Sequence, residues 1–335
     1  MDALDGLLRG LTHRVAAALT DDLATPGQLR HRAWTHPLHG LVRPTGADPG
    51  QPLARIHDAV AVGGPRGVLG GWACAFVSGV TVLDGIDWRG AEQPVLIFTP
   101  DTQLRPRSGL EPSRMRLRAD EVVDLDGLRV TTLARALYDE MLRAGSVREA
   151  LAVLDAGTSR VSRGARTGRD SVRDLVARHK KTRGIVRVRA AVELGSERVA
   201  SRGESRLRHT GLEAGAGPFL VNAPVFDTSG RLVGIVDLLD EEAGLVLEYD
   251  GADHRQPKRH SDDNSREEDL EDLNLTVVRA TSYDATRLVA LDRRIRVGRR
   301  RGLSRQRRYD RWSTVPPAWW YGSQLAQTWG YPPWR

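Results

Sequence analysis

Four carboxylates and one histidine stand at spacings from which hydrolytic chemistry can be built. Asp237 lies in Gly234-Ile235-Val236-Asp237-Leu238, which reads as the end of a strand. Glu248 and Asp250 close the next apolar run, Val246-Leu247-Glu248-Tyr249-Asp250-Gly251. Side chains alternate along a strand, so Glu248 and Asp250 point the same way if extension persists through both, and neighbouring strands roughly 4.8 Å apart bring Asp237 within reach. Glu204 falls near the start of a helical pattern, and His254 follows three residues after Gly251. Acids gathered at strand ends repel one another unless a cation neutralises them, and magnesium or manganese, which favour carboxylate and water ligands, suit that position. Such an ion could polarise a phosphodiester and lower the pKa of an attacking water. Acids at strand ends are also commonly solvated turn residues, so the spacing alone leaves both readings open.

The elements that must position these groups have the clearest grammar in the chain. A helix over Ser201 to Leu212 is followed by a strand over Phe219 to Phe226, a hairpin loop at Asp227-Thr228-Ser229-Gly230, and a strand over Arg231 to Leu238. Leu245 to Tyr249 reads as a strand, Asp262 to Leu273 as a helix, Leu275 to Ala280 as a strand, and Tyr283 to Val297 as a helix. That order predicts an α/β fold with a mixed sheet. Upstream, a helix is expected over Met1 to Leu19, a short one from Pro26 to Trp34, and an extended wing over Trp34 to Gly46. Further helices are expected over Arg55 to Ala61, Leu69 to Val80, Thr131/Thr132 to Leu142 and Val147 to about Ala156. Buried strands are expected at Pro94–Thr99 and Leu128–Val130. Residues 1–158 therefore read as an α+β domain with a degenerate winged helix at 1–46. Residues 159–200 read as a basic helical linker, with helical patterns at Ser171–Lys180 and Gly184–Leu194. Residues 201–298 form the domain bearing the acids, and 299–335 an Arg-rich, then Trp/Pro-rich tail. The tail, with five of the eight tryptophans, either docks on an apolar surface or waits for a partner.

Charge is unevenly placed along the 335 residues. Residues 160–208 carry 15 basic and 5 acidic side chains, 209–292 carry 7 and 18, and 293–311 carry ten arginines against Asp310. Counterion release would draw a polyanion to the basic flanks, while the acidic centre would repel it unless a divalent cation sits there. Arg206, Arg255, Lys258, Arg266, Arg299, Arg300 and Arg301 are the expected nucleic-acid contacts. The bland alternative is that the arginines decorate solvated helix faces. Cys74 is the only cysteine, which excludes an internal disulfide or a cysteine-rich zinc site. No apolar run reaches the length of a membrane span, and Met1 to Thr20 lacks the layout of a signal peptide, so a cytoplasmic protein without membrane association is expected.

Gly203-Glu204-Ser205-Arg206-Leu207-Arg208, then Val236-Asp237-Leu238, then Glu248-Tyr249-Asp250-Gly251 with His254, then Arg266-Glu267, then Leu275-Thr276-Val277-Val278-Arg279 together resemble the very-short-patch-repair-like (Vsr-like) branch of the PD-(D/E)XK superfamily, over about Ser201 to Val297. The resemblance implies a restriction-endonuclease-like mixed sheet flanked by helices, a divalent metal (Mg2+ or Mn2+) and phosphodiester hydrolysis. It implies Asp237 and Glu248 as metal ligands, Glu204 as the helix-borne acid of the same core, and Asp250 and His254 as accessory residues. The superfamily pattern ends in a lysine two positions after the second acid; here that position is Asp250, which leaves the general base unassigned. His254, with an unperturbed pKa near ~6.5, is the first candidate and Lys258 the second. Upstream, Trp34 with Pro37 and Gly40, the helix around Trp72, the Pro94–Pro100 strand and Asp126-Gly127-Leu128-Arg129-Val130-Thr131 resemble proteins related to AbiEi-type antitoxins.

The expected function is a metal-dependent endonuclease acting on DNA in repair or defence. The alternatives are an antitoxin-like or regulatory DNA-binding protein with a degenerate nuclease core, and a structural partner protein that binds through its Trp-rich tail.

Overall fold

Two five-stranded mixed sheets carry the apolar runs of the sequence. The structure is a computed structural model and describes residues 13–14, 25–37, 39–44, 51–162, 164, 166–251 and 266–334. The fold is α/β, and the chain divides into two units: Met1–Arg143 with Gly164–Thr182, and Ala144–Arg163 with Arg183–Arg335. Among the described residues no helix is long and apolar enough to cross a membrane.

The first unit begins with β1 (His13–Arg14), α1 (Pro26–Leu29), β2 (Trp34–Thr35) and β3 (Leu41–Pro44), with β3 antiparallel to both other strands. Thr25 caps α1 through its hydroxyl, and Gln28 returns the bond to the Thr25 backbone N–H. This helix ends at Leu29, not at Trp34, because the chain turns there and Trp34 enters the hairpin opposite Pro44. His13–Arg14 is strand where a helix over Met1–Leu19 is expected; the rest of that helix lies outside the described residues. Then follow α2 (Pro52–Gly63), β4 (Val68–Leu69), α3 (Gly71–Val77), β5 (Val95–Phe98), β6 (Leu110–Ser113), β7 (Val122–Leu125), β8 (Leu128–Thr131) and α4 (Leu133–Arg143). The strands pair in the order β6-β5-β4-β8-β7. After α5 (Val147–Thr158), which belongs to the second unit, α6 (Arg169–Arg178) returns to pack on α4. Behind β8, Arg135 is buried against Glu121 at 2.5 Å and Asp139 at 3.0 Å, and burial raises the Asp139 pKa to about 6.

The second unit contains α5, α7 (Ile185–Leu194), α8 (Arg202–Glu213), β9 (Phe219–Asp227), β10 (Leu232–Asp240), β11 (Leu245–Asp250), α9 (266–272), β12 (Thr276–Thr281), α10 (Leu288–Ser304), β13 (Trp312–Ser313) and α11 (Gln324–Trp329). Its sheet order is β12-β11-β10-β9-β13, antiparallel except for the parallel β11–β12 pair. Alternation along β11 sets two cores. Leu245 and Leu247 pack with Leu207, Leu238, Leu291 and Ile295 on the α8/α10 side, and Val246 packs with Val225, Phe226, Leu270 and Leu275 on the α9 side.

Two sequence expectations change here, and one left open is decided. The basic stretch 159–200 is no simple linker: Val172, Leu175 and Val176 of α6, and Ile185, Val188, Ala191 and Val192 of α7, recur at helical spacing and are buried. The last helix continues past Val297 to Ser304, so the first arginines of the expected tail are helical. The Trp-rich tail docks. Trp312 pairs with Asp227, and the Val221 N–H donates to the Trp334 carbonyl. Trp320 and Trp334 are 0 % and 3 % exposed within the α9-side core. Apolar area is the driving force, and the exposed edge of β9 acquires partners for its backbone groups.

Candidate active site

Glu204 is delivered by the first turn of α8. Ser201 precedes the helix in an extended conformation, and its hydroxyl accepts from the Glu204 N–H at 3.1 Å. The helix dipole favours a charged acid there, yet Glu204 is buried, and burial is the largest influence on a pKa raised above the ordinary value. Its Oε2 accepts from the Ala200 N–H at 2.9 Å and from Asn222 Nδ2 at 2.8 Å. The close approach of α8 to β11 requires glycine at 203, where a Cβ would lie 2.0 Å from the Tyr249 ring.

Sheet register sets the remaining groups in a row. Val236 pairs with Ala223 and Leu238 with Val221, which puts Asp237 across from Asn222; Leu238 pairs with Leu247, and Glu248 follows that last paired residue of β11. Glu248 in turn pairs with Arg279 on β12. Alternation along β11 turns Glu248 towards the α9 side, where Arg266 meets it, while Asp237 feels the charges of both Glu204 and Glu248. The described β10–β11 pairing runs from Asp240 and Leu245 to Leu238 and Leu247, and further along the strands it stops. At that fork the Asp237 Oδ2 accepts the Tyr249 N–H at 2.7 Å.

Asp237 is held well above the usual carboxylate range. Burial is the first cause and the charge of Glu204 the second, with Glu248 adding to them; the Tyr249 N–H and the Arg266 guanidinium oppose the shift. Glu248 is paired with two cations. Arg266 donates to its Oε1 at 2.7 Å, and the Arg279 Nε lies 3.7 Å from its Oε2 and 3.0 Å from Glu267. The Asp250 side chain makes no hydrogen bond or ion pair with any described residue. His254, Arg255 and Lys258 lie outside the described residues.

The expected nucleic-acid contacts divide into two groups. Arg206 is committed to Glu149 of α5 through Nε at 3.0 Å and Nη2 at 2.8 Å, and Arg299 to Asp240 at 2.9 Å and Glu242 at 2.6 Å. Arg300 and Arg301 are exposed on α10. Two residues escaped the sequence reading. Asn222, 2 % exposed with φ of 47°, was legible only as a lone polar side chain in an apolar strand. Arg279 ends the segment Leu275-Thr276-Val277-Val278-Arg279, where no role is expected of it.

No protein family, curated protein or solved structure matches this chain. The donor set itself decides what the site can hold. Carboxylate oxygens suit a hard divalent cation. Among the described residues no group of three or more His, Cys, Asp or Glu side chains is already arranged around a common point for a metal ion. Glu248 faces arginine instead.

Proposed function

We propose that the second unit is a divalent-metal-dependent endonuclease domain of the PD-(D/E)XK type, Vsr-like, that hydrolyses phosphodiester bonds in DNA. The observation that carries this reading is that Asp237, buried at the fork between β10 and β11, lies under the charges of two further acids from other elements, Glu204 and Glu248. An acid buried beside two others has a structural cost, and a cation removes it. Asp237 and Glu248 would hold Mg2+ or Mn2+, with Glu204 as the third acid. The bound ion would polarise the phosphodiester and lower the pKa of an attacking water. Asn222 holds the Glu204 carboxylate in place, and the Tyr249 N–H orients that of Asp237. The exposed Arg300 and Arg301 supply charge for a phosphate backbone. His254 is proposed as the proton-transfer group.

A second reading is favoured by one observation: Glu248 is neutralised by Arg266 and Arg279, as in a core that retains its charges without cutting. That reading makes the protein a DNA-binding antitoxin-like or regulatory module. Plasmid and oligonucleotide cleavage with Mg2+, Mn2+ or EDTA tests the choice. Metal-dependent cleavage lost in D237N supports the nuclease; DNA retained without cleavage under every metal condition overturns it in favour of the binding module.

A further inference from the structure

Arg266 sits where the sheet opens. Beyond Leu238 and Leu247 the ladder between β10 and β11 is interrupted, which leaves the Ile235 carbonyl facing the gap from one strand and the Glu248 carboxylate from the other. The Arg266 Nη2 bridges them, donating to the Ile235 oxygen and to Glu248 Oε1 at 2.7 Å. β10 is shaped for it: a Cβ at Gly234 would lie 2.6 Å from the Arg266 Nε. Among the described residues Arg279 also lies near Glu248, farther away at 3.7 Å and shared with Glu267. Asp250 occupies the one place on β11 where the superfamily pattern carries its own cation. A guanidinium with several donors in one plane suits a bridge between a backbone oxygen and a carboxylate.

We propose that Arg266 is a positioning residue that holds Glu248 at the fork and gives it up to a divalent cation. This inference rests on the proposed metal-dependent reading. Arg266 and the cation compete for the same carboxylate, and the positive charge of Arg266 opposes cation entry. Loading therefore requires Arg266 to release Glu248 Oε1, while its bond to Ile235 can keep α9 against β10.

Titration of the full-length chain with Mn2+ alone, without DNA, followed by calorimetry, tests the competition. R266Q removes the charge and should bind Mn2+ about tenfold more tightly than the native chain, with slower metal-dependent cleavage because Glu248 loses its guide. R266K restores the charge and should return the affinity towards the native value. A purely structural Arg266 would give the opposite sign, weaker Mn2+ binding together with weaker cleavage. G234A crowds the guanidinium without removing it and should shift the affinity in the same direction as R266Q; it carries the test if R266Q does not fold. Mn2+ binding that is unchanged or weaker in the folded variants overturns the role of Arg266 and leaves the nuclease reading standing. A native chain that takes up no Mn2+ overturns both.

Discussion

The backbone N–H of Tyr249 donates to Asp237 Oδ2 at 2.7 Å, so a side chain takes over where the β10–β11 ladder stops. This bond places an acid at a fork instead of on a continuous sheet, and it fixes which of its oxygens faces the gap. The neighbouring Tyr249 ring packs on the α8/α10 side and meets Gly203, so the same residue ties the helix that bears Glu204 to the strand that bears Glu248.

Asp237→Asn and Glu248→Gln are expected to reduce metal-dependent cleavage to background while DNA affinity stays equal or rises. Each removes a proposed ligand and also a negative charge facing phosphate. Cleavage and binding measured on the same preparations check this. Native-level cleavage by both variants would remove the metal site from the mechanism.

The pH dependence of stability follows from the raised Asp237 pKa. The folded state binds this proton more tightly than the unfolded chain, so in EDTA stability is lost as pH rises from the ordinary value of about 3.9 through the raised one. Each unit of upward shift corresponds to about 1.4 kcal/mol. D237N has no such titration and should gain on the native chain as pH rises above about 4 in urea denaturation. Parallel stability–pH curves would show that Asp237 titrates like a solvated acid.

Gly203→Ala should lower stability by about 1–3 kcal/mol through overpacking against the Tyr249 ring. It should also reduce cleavage, since Glu204 moves with α8. Combining it with Tyr249→Leu relieves the clash, and recovery of stability in the double variant is the check. A single variant as stable as the native chain would mean that α8 has room to shift.

Salt dependence separates the arginines. R300E/R301E should lower the slope of log Kobs against log salt by up to about 0.9 for each phosphate that these side chains neutralise. Arg206 and Arg299 are expected to affect the slope less, because Glu149, Asp240 and Glu242 already engage them. Removal of the whole tail is a poor test of charge, since Trp320 and Trp334 belong to the core; Trp320→Ala alone should cost about 3–5 kcal/mol. Equal slopes for the native chain and R300E/R301E would make both arginines solvated surface.

His254→Ala should slow turnover by roughly 10² or more and remove a titration near neutrality from the rate profile, if His254 transfers the proton. Melting temperature on the same sample guards against a stability effect. Full specific activity would move the role to another group.

Local pattern settled much of the second unit. Alternating apolar residues around Asp237 and Glu248, a hairpin turn at Asp227–Gly230 and a Ser cap before Glu204 are determined within a few residues of chain, so strands, hairpin and helix start were readable from sequence, as was the mixed α/β class. What decided the site was long-range. Pairing between strands brings Asn222 beside Asp237 and Arg279 beside Glu248, and nothing within β9 or β12 announces it. Arg266 looked like a free cation because its partners, Ile235 and Glu248, lie 31 and 18 residues away. Arg206 and Arg299 lost their apparent freedom in the same way, to acids 57 and 59 residues distant. The tail's tryptophans marked apolar area to be buried, but only the closed sheet supplied the β9 edge and the α9-side core that receive them. Charge and hydrophobicity are properties of residues; which charge is cancelled and which surface is covered depends on neighbours that only the folded chain assembles.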